Sequence, residues 1–177
     1  VYKWEARLSQ PELGMLMELA DFFDTSVDVL LGYEMKDNRL EATVARLRRC
    51  RWEKDRTGLA EAEKALKKYP NAFEVVYNSA ALYRVFGMEG KEPQLLHRAL
   101  ELSECARLLL PQNTDPKISE STLSGEMAEI LLSLGDHEQA VRLLKENNAG
   151  GIYDDQIGLT LAADCKRPEE ALPFLSS

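Results

Sequence analysis

The sequence predicts an all-α protein in two parts: a short helical pair near the amino terminus, then an α-α superhelix of about three and a half stacked hairpins. Three observations predict it. Apolar residues recur at helical spacing, as in Leu13, Leu16, Ala20 and Phe23. Ala65 stands five residues before Pro70, and Ala106 repeats that relation to Pro111 forty-one residues further on. Gly135-Asp136-His137-Glu138-Gln139-Ala140 reads as a helix stop followed at once by a helix start.

Composition bounds the function. At 177 residues and 45% hydrophobic content the chain can bury a sizeable core. No apolar run approaches the roughly 18 to 20 residues of a membrane span, and no signal peptide is visible. Cys50, Cys105 and Cys165 are odd in number and far apart, which predicts reduced thiols and a cytoplasmic protein. The net charge of −8 disfavours a surface that clings to phosphate. Even Val1 to Asp37 carries three basic residues against eight acidic ones.

The first helix is expected from about Gln10. Ser9-Gln10-Pro11-Glu12 is a capping box, in which Ser9 accepts from a first-turn amide, Glu12 reaches back, and Pro11 sits where no donor is needed. Leu13, Leu16, Ala20 and Phe23 give it one buried face. Asp24-Thr25-Ser26 offers a second cap before Val27 to Leu31, and Gly32 supplies the stop.

These residues carry a family likeness: Trp4-Glu5, then Ser9, Pro11, Gly14, Leu16, Leu19, Ala20 and Phe23, then Val27-Asp28 and Leu30-Leu31-Gly32. The stretch resembles the carboxy-terminal half of the Xre/Cro-type helix-turn-helix domain of bacterial and phage repressors. The resemblance implies that residues 1–34 are the end of a DNA-binding domain, with 35–38 as linker. It places Tyr2 and Lys3 at the end of the recognition helix as DNA-facing residues, Lys3 suited to a phosphate contact, and Trp4 as a packed brace. It also implies that the earlier helices precede Val1, so that the chain is a fragment of a longer regulator. Arg7 stands where the family usually has Gly, a departure costing roughly 1 kcal/mol unless the turn is reshaped.

From residue 39 to 177 the pattern is one of helical hairpins. Leu40, Val44 and Leu47 mark a helix to about Lys54, and Leu59, Ala62, Leu66 and Tyr69 mark its partner, with Gly58 in or near the turn and Pro70-Asn71 closing the pair. Phe73 to Tyr83 is the next helix and Leu95 to Leu110 its partner, with Gly87 to Pro93 as an enlarged turn between them. A third pair begins at Asp115-Pro116, runs through Met127, Ala128, Leu131 and Leu134, and turns at Gly135-Asp136. The fourth is about Tyr153 to Cys165 followed by Pro168 to Leu175.

Ala80, Tyr83, Ala99, Ala106, Pro111 and the Gly135-Asp136…Ala140 turn resemble the tetratricopeptide repeat, a two-helix unit of about 34 residues with small residues at the helix crossing. The likeness implies a concave groove lined by the first helix of each pair. Tyr77, Ala81 and Arg84 fall on that side of the second pair, and Glu129 on that side of the third. A terminal apolar face on the last pair would favour self-association.

Nothing in the sequence asks for catalysis. His97 and His137 lack ligand-spaced partners, so no metal or cofactor is expected. No phosphate loop or nucleophile elbow appears, and Glu169-Glu170 and Asp154-Asp155 suit helix starts. The basic run Arg46, Arg48, Arg49, Arg51, Lys54 and Arg56 is spread around its helix and reads as a solvated face rather than a phosphate stripe. The helix-turn-helix resemblance implies that the chain is part of a bacterial transcription regulator. Its partners are DNA, a second copy bound through the repeats, and a short peptide effector of the kind the resemblance implies. The alternative is a repeat-only protein-interaction scaffold.

Overall fold

A computed structural model describes residues 12–23, 27–30 and 39–176. The chain divides into two compact units, Val1–Asn38 and Arg39–Ser177. Regular structure among the described residues is helical, with no strand. No helix there is long and apolar enough to cross a membrane.

In the first unit α1 spans Leu13–Phe22 and packs on the single turn α2, Val27–Leu30. Glu12 is extended, with φ −70° and ψ 153°, so the helix cannot begin before Leu13, later than the capping box predicts. The late start also leaves two of the four expected face residues uncovered. Ala20 is buried and Leu16 and Leu19 are half-buried, but Leu13 and Phe23 are exposed. Leu13 is now the first helical residue and Phe23 the cap, so neither lies in the body of the helix where a stripe is covered.

The second unit is a series of helices joined by short connections: α3 (Leu40–Trp52), α4 (Gly58–Lys68), α5 (Phe73–Gly90), α6 (Pro93–Leu109), α7 (Glu120–Leu134), α8 (His137–Glu146), α9 (Asp154–Ala163) and α10 (Pro168–Leu175). Each packs on its neighbour in sequence, and short connections make such neighbours antiparallel. In addition α3 packs on α5 and α5 touches α7. The first helices of the first three hairpins thus touch in succession.

Small residues permit the close crossings. Ala62, Ala99, Ala106, Ala128 and Ala140 have no exposed surface, and Ala65 and Ala80 have almost none. Gly58, the first residue of α4, has the same role, since a Cβ there would stand 2.6 Å from Cys50 Cβ. The core falls into two bodies. One gathers Val44, Leu47, Phe73, Val76, Leu82, Phe86, Leu96 and Leu102 from α3 to α6, together with Ile130 of α7. The other gathers Leu131, Val141, Leu144, Ile157, Leu161 and Ala171 from α7 to α10. Leu100 packs against both.

Two connections differ from expectation. The stretch Gly87 to Pro93 is not an enlarged turn: α5 runs through Gly90, Lys91 turns with φ 50°, and Pro93 opens α6. The extra residues lengthen two helices. Asp115-Pro116 is a turn rather than a helix start, with Asp115 Oδ1 accepting from Lys117 N–H at 2.9 Å. Helix α7 starts instead behind Ser119, which forms a capping box with Thr122. The Gly135-Asp136 turn is as its residues predict. Gly135 ends α7 at φ 83°, and Asp136 caps α8 by accepting from Gln139 N–H at 3.2 Å.

Candidate functional site

Polar side chains far apart in sequence link the first helices α3, α5 and α7. Arg84 of α5 donates through one guanidinium nitrogen to Glu129 at 2.6 Å and through the other to Glu126 at 2.8 Å, both on α7. The Tyr77 hydroxyl donates to the same Glu126 oxygen at 3.3 Å, while its ring stacks on Phe73 with centroids 5.6 Å apart. Tyr77, Arg84 and Glu129, the three groove residues expected from the repeat pattern, therefore meet around a fourth, Glu126. Sequence reasoning missed it, although it lies one turn before Glu129 and so on the same helix face. Ala81, expected beside them, is 3% exposed and belongs to the core.

Burial decides the electrostatics. Side chains of Arg84 and Glu126 are each 20% exposed, whereas Glu129 is 53% exposed. Desolvation pushes the Glu126 carboxyl above the ordinary glutamate range; Arg84 and the Tyr77 hydroxyl pull it down, and the Glu129 charge adds to the rise. A close, well-directed ion pair normally lowers a carboxyl, so the net rise means that lost hydration outweighs the Coulomb gain. The Tyr77 phenol is raised by burial first and by Glu126 second, with Arg84 and Arg51 opposing.

The face continues on both sides. Toward α3, Arg48 Nε donates to Asn78 Oδ1 at 3.2 Å, and Asn78, 3% exposed, donates to the Glu74 carbonyl at 2.6 Å. Toward α9, the Tyr153 hydroxyl donates to the Ser121 carbonyl. Gly125 makes room for it, since a Cβ there would stand 2.8 Å from Tyr153 Oη.

The basic run of α3 and the turn after it is mostly paired. Arg46 faces Glu61 at 3.9 Å, Arg49 faces Glu53 at 3.9 Å, Arg56 bonds Glu92 at 2.7 Å, and Lys54 pairs with Glu89. Arg48 and Arg51 have no carboxylate partner among the described residues. The run is thus a mostly neutralised surface, with its two unneutralised members turned toward α5.

The other residues singled out in the sequence lie elsewhere. Tyr2, Lys3 and Trp4 fall outside the described residues. His97 is exposed on α6. His137 opens α8, its Nδ1 3.7 Å from Asp164 Oδ2. Cys50 is buried, Cys105 exposed and Cys165 intermediate, and burial raises the thiols of Cys50 and Cys165. Among the described residues no group of three or more His, Cys, Asp or Glu is placed to hold a metal ion. On the opposite side of the hairpins, shallow clefts open between α6 and α8, floored by Leu100, Met127 and Leu131 and rimmed by Arg107, Gln139 and Arg142.

Comparison with family models, with curated proteins and with solved structures finds no match in any of the three.

Proposed function

We propose that this chain is part of a bacterial transcription regulator. In this reading Val1–Asn38 contains the end of an Xre-type helix-turn-helix domain, and Arg39–Ser177 is a tetratricopeptide-like array that dimerises and responds to a peptide on its inner face. The sequence motif from Trp4 to Gly32 supports the DNA-binding half, and the division of the chain at Asn38 and Arg39 is where that reading puts the domain border. The sensing half rests on one observation: Tyr77, Arg84, Glu126 and Glu129 converge from two hairpins onto one face.

The mechanism follows from operator geometry. Two helix-turn-helix heads must stand about one DNA turn apart, roughly 34 Å, and an array that dimerises sets that spacing. A peptide that binds one arrangement of the array better than another shifts the spacing and with it the DNA affinity.

Calorimetry of the intact gene product with short peptides, run beside operator-affinity measurements, tests the coupling. Peptide binding should change operator affinity, and operator DNA should change peptide affinity by the same factor. Peptide binding with no effect on DNA affinity would leave the second reading, an interaction scaffold without DNA binding. The acidic balance of Val1 to Asp37 favours that alternative.

A further inference from the structure

The unneutralised cations of α3 lie beside the most exposed aromatic side chain among the described residues. Arg51, Arg48 and Trp52 follow one another around α3, because residues three and four apart share a helix face, and the two arginines lie on its α5 side. Arg48 reaches Asn78 on α5, and the charge of Arg51 is felt at both the Tyr77 hydroxyl and Glu126. Arg51 is half-buried and Arg48 exposed, and neither has a carboxylate partner among the described residues. Trp52 is 88% exposed. An indole left in water has no packing reason to be there, and Trp, Tyr and Arg are the side chains that anchor interfaces.

We propose that Arg48, Arg51, Trp52 and Tyr77 form an anchor for an acidic peptide segment, one or two carboxylates pairing with the guanidiniums while an apolar residue covers Trp52. This rests on reading the inner face as a peptide-binding surface. Charge decides the class of partner. Glu126 and Glu129 on α7 share the single charge of Arg84 and so leave one net negative charge, which Arg51 faces; set against the two guanidiniums of Arg48 and Arg51, this leaves the strip between α3 and α5 with a net positive charge. Arg142 on α8 also lacks a carboxylate partner among the described residues, but it stands on the outer side of the hairpins. A nucleic acid fits less well, since its backbone presents a run of closely spaced phosphates that needs many cations, and this chain is net −8. One or two carboxylates match two guanidiniums.

Fluorescence anisotropy on the full chain tests this with three labelled, amidated heptapeptides of one apolar stem, ending in Asp-Glu-Asp, Asn-Gln-Asn or Lys-Arg-Lys, and with a short random DNA duplex as competitor. The acidic peptide should bind at least about tenfold tighter than its amide counterpart, the size of one charge-assisted hydrogen bond. That preference should vanish in R48Q/R51Q and persist in R142Q, with circular dichroism confirming that each variant folds. W52A should weaken all three peptides together. Equal binding of acidic and amide peptides overturns the anchor alone and leaves the groove. A preference that survives R48Q/R51Q does the same. Displacement of the acidic peptide by the duplex assigns the patch to nucleic acid instead. If no peptide binds, the groove reading and the anchor fall together.

Discussion

Two clusters of the same composition, one Tyr, one Glu and one Arg, sit on different sides of the second unit. Tyr77, Glu126 and Arg84 form the inner one, Tyr83, Glu63 and Arg98 the outer one. The inner cluster spans α5 and α7, where the two hydrophobic bodies meet; the outer cluster joins α4, α5 and α6 over the first body alone. Arg84 and Glu126 are each 20% exposed, against 38% for Arg98 and 40% for Glu63. In the outer cluster it is the phenol that is displaced: burial, then the bond to Glu63, pushes Tyr83 up to about 12. In the inner one burial also lifts the carboxylate above its usual range. The phenol is desolvated in both places, and what differs is the ion pair, half-exposed in the outer cluster and mostly buried in the inner one.

The sharpest way to break this contrast is at the seam itself. Ile130, with no exposed surface, is the α7 residue that inserts into the first body. Ile130→Ala should cost about 2–5 kcal/mol in denaturant unfolding and separate the two bodies into distinct transitions. A single transition with a small cost would mean that the bodies are not joined there.

Next come the arginines. Arg84→Met strands a mostly buried carboxylate and should cost about 1–3 kcal/mol, whereas Arg98→Met should cost no more than about 1 kcal/mol. Because desolvation outweighs pairing at Glu126, the double change Arg84→Met with Glu126→Leu should recover most of the loss. Equal costs at the two arginines would erase the distinction between the clusters.

A pH series sharpens it further. Glu126 titrates higher in the folded chain than an ordinary glutamate, so the folded state holds that proton more tightly than the unfolded state does. Its favourable contribution is complete below the unfolded value and is lost as pH rises through the folded one. The stability of wild type relative to Glu126→Gln should therefore fall as pH climbs out of the ordinary glutamate range and then level off. The smallest effect is at the outer phenol. Tyr83→Phe should cost about 0.5–1 kcal/mol and remove an absorbance titration near pH 12.

Much of this architecture is legible in the residues. Helical spacing places nearly every helix of the second unit, and Gly135-Asp136 fixes its turn because only a residue at ease with positive φ ends α7 there. Gly87 misleads, since a glycine between two helical patterns reads as a turn. Here it is a crossing point, where a Cβ would meet Leu96 within 2.8 Å, so α5 continues past it. Asp115-Pro116 misleads because the stronger Ser119–Thr122 cap lies four residues on. The repeat pattern finds Tyr77, Arg84 and Glu129 but not Glu126, whose importance comes from being shared by two donors on another helix. The lack of a carboxylate partner for Arg48 and Arg51 among the described residues is equally hidden. A basic run looks uniform until the acidic partners of its other members, on α4, α5 and the turn before α6, are known.

Hydrogen–deuterium exchange of the full chain with and without the acidic heptapeptide compares the two sides in one experiment. The inner face should slow its exchange in the second half of α3 and along α5 from Glu74 to Phe86, while α6 and α8 stay unchanged. Protection confined to α6 and α8, or none at saturating peptide, would contradict the assignment of binding to the first helices.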